Sequence, residues 1–324
     1  MTKQTFAINI LTIALFVFPM LLHAEKPFKI VYADVETAKE ILITRDEFIN
    51  AMSPIDRSIR MKTTETVSVD SFVNFLGQNA LEWNDAEIEI LKTAMDSILP
   101  VLQEIKLDFP DTVYFAKTTG EEEGGGVYTR QNAIIFPGVS EEVQNADLIH
   151  LIYHELFHIL TRNNPEYQDD LYQIIEFYPC NEIEFPDTLK NRRITNPDAP
   201  HNNYYIEVEV EGEEIPVVPI VVSSVRMHQV TEETNLIQSL SFGLMALENH
   251  DGMYVPKMKD GLPVLYYYTN VPSFMEKVGH NTEYVLHPEE ILAENFVLIF
   301  SGDHDIPDPE IPQKMREILF GERN

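Results

Sequence analysis

The amino-acid sequence predicts an α+β fold in one domain. Helical periodicity dominates residues 25–119 and returns in the tail, while β-branched and alternating runs gather in between. No internal repeat or low-complexity linker divides the 324 residues. With 44% hydrophobic and 23% charged side chains, the chain has enough apolar material to bury a large core.

The elements follow in order. Met1-Thr2-Lys3, a mainly apolar run over residues 6–22 and the small residue Ala24 have the pattern of a secretory signal peptide spanning 1–24, which predicts export to the periplasm or the extracellular space. Asn9 and Pro19 interrupt the run, and no later stretch of similar length is free of charge, so no stable membrane insertion is expected after cleavage. Residues 44–47 resemble a capping box, and Asn84 or Asp85 could cap a helix whose apolar stripe is Ile88, Leu91, Met95, Ile98, Leu102 and Ile105. Residues 112–117 and 127–136 read as strands on either side of the Glu121–Gly126 break. A helix is expected over 147–161. A hairpin is expected from strands at 204–210 and 217–225, a second over 254–269 turning at Lys259-Asp260-Gly261, and a last helix from Pro288 through residue 300. The domain (25–324) thus divides into a mainly helical part (25–119), a strand and helix (120–180), a hairpin insertion (181–270) and a helical tail (271–324).

Composition narrows the function. Cys180 is the single cysteine, which excludes an internal disulfide and any Cys-based zinc site, and it has no histidine nearby in sequence to activate it. With 53 acidic and 23 basic residues the formal charge is −30, and so acidic a surface repels nucleic-acid backbones and anionic lipid.

Chemistry enters at His154-Glu155-Leu156-Phe157-His158, an H-E-x-x-H motif inside an apolar helical run. Two histidines four apart point from one helix face and can reach one zinc ion, Zn2+. Glu155 can face a zinc-activated water as general base without being a ligand, which is the chemistry of peptide or amide hydrolysis. His150, another four residues upstream, is too far along a straight helix to join a tetrahedral centre and reads as packing or as support for a ligand.

A third ligand is needed. The metzincin pattern would require glycine and histidine where the chain has Thr161 and Asn164. Glu176 and Glu290 then compete. Glu176 lies closer to His158 in sequence but just ahead of Pro179, which stops the helix. Glu290 and Glu294 stand four apart on one face of the last expected helix, where one carboxylate could ligate and the other orient a histidine.

His154-Glu155-x-x-His158 followed by Glu290-x-x-Ala293-Glu294 resembles the gluzincin family of zinc metallopeptidases, remote from thermolysin-like enzymes. The resemblance implies a zincin-like domain in which His154, His158 and Glu290 hold the metal, Glu155 is catalytic, and Glu294 stands behind a ligand. It also implies that residues 127–136 form an edge strand that pairs with an extended peptide or protein substrate. His201, Tyr204, Tyr205, Tyr284 and His287 are candidates to stabilise an oxyanion. A zinc amidohydrolase acting on non-protein amides, or an exported zinc-binding protein without turnover, are the alternatives.

Overall fold

The computed structural model describes residues 27–321 apart from Glu141, Val143 and His304, so the expected leader (1–24) lies outside the described residues. The fold is α+β. β1 (Lys29–Tyr32) leads into four helices, α1 (Val35–Ile43), α2 (Glu47–Ala51), α3 (Pro54–Arg60) and α4 (Val69–Gln78). Each starts on a side-chain cap, with Asp34, Asp46, Ser53 and Ser68 accepting a backbone N–H from the first turn. The box expected over 44–47 is instead a single cap by Asp46, with Thr44 closing the preceding helix.

After the short β2 (Ala80–Leu81), α5 (Asp85–Leu102) begins on Asn84, whose side chain and that of Glu87 each satisfy the other's backbone N–H. Leu91, Met95, Ile98 and Leu102 are buried as the periodicity predicts, while Ile105 lies beyond the helix end.

β3 (Thr112–Thr118), β4 (Tyr128–Arg130) and β5 (Ala133–Phe136) complete the first sheet. The single strand expected over 127–136 is two strands. Gln131 adopts a left-handed backbone (φ 54°), the chain reverses, and Arg130 pairs opposite Ala133. The turn contains no glycine. Asn132 Nδ2 donates to the Thr112 carbonyl at 2.8 Å, and Arg162 donates to the Gln131 carbonyl at 2.7 Å, so tertiary contacts hold what local propensity does not announce. β1, β3 and β5 run parallel, with β4 antiparallel beside β5 and β2 antiparallel beside the end of β3.

Alternation along these strands gives the sheet two buried faces. Phe115, Ile134 and Phe136 pack into the main core with α5 and α6 (Asn145–Asn163), while Ala116, Ala133 and Ile135 pack against α1, α2 and α4.

α7 (Gln168–Tyr172), β6 (Tyr178–Pro179) and α8 (Asp187–Lys190) lead to a second, antiparallel sheet built around β7 (Tyr204–Val210), β8 (Glu213–Ser223), β9 (Leu240–His250) and β10 (Met253–Pro256). β8 starts four residues before the expected 217, because Glu211 and Gly212 (φ 55° and 85°) make a tight two-residue turn. The expected hairpin over 254–269 does turn at Asp260-Gly261, but into short pieces: β11 (Met258–Lys259) pairs with β12 (Leu262–Pro263), whereas β10 and β13 (Leu265–Tyr266) both pair with β9. β9 is not among the elements expected from the sequence.

The tail holds α9 (Pro272–Val278), α10 (Pro288–Ser301) and α11 (Glu310–Leu319). Pro288 occupies the first turn of α10, and His287 caps it by accepting the Glu289 N–H at 3.1 Å. α10 lies along α6, where Tyr153 stacks on Phe300 (centroids 4.6 Å apart) and Phe157 meets Phe296 (5.4 Å). Such aromatic pairs contribute about 0.5–1.5 kcal/mol each beyond their burial. Among the described residues no helix is long and apolar enough to cross a membrane.

Candidate metal centre

The site is made where α6 and α10 touch. One helical turn sets the rings of His154 and His158 side by side, with centroids 4.8 Å apart, and α10 brings Glu290 between them. His154 Nε2 lies 3.1 Å and His158 Nε2 3.5 Å from the same oxygen, Glu290 Oε2. A tetrahedral centre with ligand bonds of about 2.0–2.1 Å spaces its donor atoms about 3.3–3.4 Å apart, so each imidazole nitrogen stands near that separation from the shared carboxylate oxygen, and the three ligand atoms all lie within 4.8 Å of one another.

The other end of each ligand is held by the protein. His154 Nδ1 is 2.9 Å from Glu294 Oε1, and His158 Nδ1 is 3.0 Å from Glu289 Oε1. A carboxylate on Nδ1 places the ring proton there and directs the Nε2 lone pair to the centre. Glu289 also accepts the Tyr172 hydroxyl at 2.6 Å and the Thr161 hydroxyl. Asn196 Nδ2 donates to Glu290 Oε1, leaving Oε2 to face the histidines.

The cluster is incomplete in one specific respect. Glu155 Oε2 and His158 Nε2 are buried and have no hydrogen-bond partner among the described residues. Each such group costs about 1–3 kcal/mol when left unmet. A cation at the convergence of His154, His158 and Glu290 would satisfy the imidazole directly, and the residues therefore fit the metal that the motif implies.

The carboxylates and imidazoles of the cluster set one another's protonation. Burial, followed by the nearby charge of Asp198, pushes the Glu155 carboxyl up to about 8. Burial would also raise Glu290, but the imidazoles of His158 and His154 outweigh it and hold that carboxyl well below its usual range. Burial works against protonation of both histidines, yet the surrounding carboxylates prevail: Glu290 and Glu294 bring His154 up to about 10, and Glu290 leads in raising His158. The carboxylates thus favour protonation of both imidazoles, and a metal binding at Nε2 competes with protons there.

The two glutamates that compete in the sequence are far from equivalent here. Glu176 sits in a left-handed turn (φ 59°), half exposed, and pairs with Lys277 at 2.9 Å, away from the histidines. His150 is half exposed, with its Nε2 3.5 Å from the second oxygen of Glu294.

Of the five oxyanion candidates, four are engaged elsewhere. His201 bridges Glu182 and Glu47 (3.0 and 2.8 Å), Tyr204 donates to Asp169 (2.7 Å), and Tyr205 stacks on Tyr254. His287 is committed to capping α10, and burial lowers it to about 4, which keeps it neutral. Tyr284 has its ring 6.3 Å from that of His154, and the charge of Glu290, then burial, then Asp198 and Glu155, keep its hydroxyl protonated. The Cys180 thiol is pushed up to about 11 by burial and by Glu182, the opposite of an activated nucleophile.

The edge strand differs from expectation. It is β4 alone, and the Thr129 N–H, which points away from β5, donates to Asp198 Oδ1 at 2.7 Å, as does the Thr129 hydroxyl. A ligand oxygen of Asp198 also lies within 4.8 Å of ligand atoms of Glu155 and His158. Beside the cluster is a cavity of about 480 Å³ bordered by His158, Glu289, Tyr172, Arg162 and Asp198.

Glu289, Asn196, Asp198, Thr161 and Tyr172 are site residues that the motif reading does not supply. The one available signal is for Glu289, a second carboxylate next to Glu290 on a helix whose neighbours are nearly all apolar. No family model, curated protein or solved structure matches this chain.

Proposed function

We propose that this chain is an exported zinc metallopeptidase of the gluzincin type, with a zincin-like arrangement in which His154, His158 and Glu290 hold Zn2+. The observation that carries the reading is the convergence of two imidazole nitrogens on one oxygen of Glu290, at 3.1 and 3.5 Å, each histidine being held from behind by its own glutamate. Two imidazoles and a carboxylate suit zinc and leave a position free of protein ligands from this set. Zinc bound there supplies Lewis acidity and a water acidified towards neutrality.

The protein does the rest. Glu155, adjacent in sequence to His154 but outside the ligand trio, has one oxygen free to take a proton from the attacking water and return it to the leaving amine. Tyr284 carries a protonated hydroxyl near Glu290 and Glu155, suited to donate to an oxyanion. The outward N–H of Thr129 beside the centre favours an extended peptide over other amides, because a strand edge recognises backbone. Export rests on residues 1–24.

The test is turnover of unstructured peptides by the zinc-loaded protein and by Glu155→Gln. The variant should lose about 100- to 10,000-fold in rate while keeping its zinc. Undiminished turnover would remove Glu155 from the mechanism, and zinc without any turnover in the wild type would favour a binding protein.

A further inference from the structure

Residues 193–195 run alongside the end of β8, where the Ile194 N–H donates to the Val221 carbonyl at 3.0 Å and the Arg193 carbonyl accepts from the Ser53 hydroxyl at 2.7 Å. Held there, Arg193 and Thr195 border a second cavity, of about 110 Å³. Asn196 and Tyr284 also line it, and both adjoin the metal centre: Asn196 donates to Glu290 Oε1, and the Tyr284 ring lies 6.3 Å from that of His154. Ile194, Val221, Leu236, Leu240 and Leu286 give the cavity an apolar wall. Ile237 and Tyr284 line it and are exposed, so it opens to solvent.

Two polar groups in this cavity are unspent. The Thr195 hydroxyl is buried and has no hydrogen-bond partner among the described residues. The Arg193 guanidinium lies over the Phe185 ring, 5.0 Å from its centroid, and hydrogen-bonds through one Nη alone, to the Pro200 carbonyl. The carboxylates that favour its charge are already taken. Glu182 accepts from His201 and from the Asn202 N–H, and Asp56 accepts from Arg60 and from the Thr195 N–H. Glu123, on the same wall, is paired with Arg60. Burial outweighs Glu182 and Asp56 and holds the Arg193 guanidinium below its usual range, as expected of a cation short of partners.

We propose that this cavity receives the C-terminal residue of the peptide substrate, with Arg193 and the Thr195 hydroxyl binding its carboxylate and the apolar wall taking an aliphatic side chain, so that the enzyme cuts near the carboxyl end of its substrates. The inference rests on the metallopeptidase reading above and adds the substrate class of the same site.

A guanidinium with open N–H groups matches the two oxygens of a carboxylate, and it stays charged when buried. An acidic side chain offers the same carboxylate but leaves the apolar wall unmet. The cavity is smaller than the roughly 150 Å³ that benzene fills, so it has room for one small aliphatic residue rather than a run of chain.

The experiment gives the full mature, zinc-loaded chain three peptides that differ only at the last residue: leucine with a free carboxylate, leucine amide, and glutamate with its α-carboxyl amidated. Wild type should turn over the free acid with kcat/KM about 10- to 100-fold above that for leucine amide, the size expected of charge-assisted hydrogen bonds. Arg193→Gln should bring this ratio close to one, Arg193→Lys should restore part of it, and Thr195→Val should lower it about two- to tenfold. Equal turnover of the acid and leucine amide by wild type overturns the proposal and leaves the metallopeptidase reading in place. Turnover of the glutamate amide as fast as the free acid assigns the carboxylate to a side chain and overturns the terminal reading. If Arg193→Gln fails to fold, the wild-type ratio and its change in Thr195→Val decide. If no peptide is turned over, titration calorimetry of the acid and leucine amide peptides with the metal-free protein separates the two readings. Tighter binding of the acid, lost in Arg193→Gln, supports the cavity while the peptidase reading falls, and equal binding overturns both.

Discussion

Arg60 on α3 and His158 on α6 are buried to nearly the same degree, with 2% and 1% exposure, yet their surroundings are resolved in opposite ways. Arg60 spends every nitrogen inside the protein: Nε on Asp56 at 2.7 Å, one Nη on the Glu122 carbonyl at 3.0 Å and the Glu123 carboxylate, and the other on the Thr195 carbonyl at 2.8 Å. The second oxygen of Asp56 accepts the Thr195 N–H. Two polar atoms beside it lack partners, the Thr195 hydroxyl and one oxygen of Glu122, but the hydroxyl is neutral and burial raises the Glu122 carboxyl towards its neutral form. Around His158 the carboxylates of Glu155, Glu289, Glu290 and Asp198 crowd two imidazoles, and an imidazole nitrogen and a carboxylate oxygen still lack partners. Buried charge therefore does not mark a site by itself. A network whose charges are all paired fixes a segment, here the backbone at Thr195, whereas one that leaves charge-bearing groups unpaired has room for a ligand.

The contrast can be broken at either cluster. Arg60→Ala strands the buried Asp56 carboxylate and should destabilise the metal-free protein by about 3–5 kcal/mol in denaturant unfolding. A cost below about 1 kcal/mol would show that this network is not closed in solution. Glu289→Gln leaves the ligands in place but weakens the hold on His158 Nδ1, so zinc affinity should drop about 10- to 100-fold in chelator competition. No change would mean that Glu289 only packs α10 against Tyr172.

The smallest effect lies at His201, between Glu182 and Glu47. The hydrogen bond that the ring donates to Glu182, against opposing burial and with help from the one to Glu47, raises His201 from 6.5 to about 9. The folded protein thus holds a proton that the unfolded chain releases. The stabilisation is fully present below about pH 6.5 and is lost as pH rises through about 9. Exposure of the ring to solvent makes the gain small. Unfolding midpoints of wild type and His201→Gln should differ most at mildly acidic pH and converge above the upper value. A constant difference across that range would assign His201 a packing role instead.

Legibility followed the range of the interactions. His154, Glu155 and His158 share one helix, so a five-residue pattern suffices to find them. Glu290 and Glu294 share another, and their spacing shows that they face together, though only the tertiary fold separates Glu290 from Glu176. Asn196, Asp198 and Tyr172 reach the centre from loops and a short helix whose local sequence carries no metal-site spacing. The same division holds for the fold. α5 was readable from its cap and stripe, and the turn at Asp260-Gly261 from its dipeptide. The β4–β5 reversal at Gln131-Asn132 depends on bonds from Asn132 and Arg162 to distant carbonyls, and β9 lacks the clean alternation that would have exposed it, because both of its faces are buried over residues 244–247.

The most direct measurement is zinc content by elemental analysis of the mature wild type beside Glu290→Ala and Glu176→Ala, all purified without added metal. Near-stoichiometric zinc in the wild type and in Glu176→Ala, with zinc lost in Glu290→Ala, is the predicted result. Retention in Glu290→Ala with loss in Glu176→Ala, or no zinc in the wild type even after reconstitution, would contradict a centre formed by His154, His158 and Glu290.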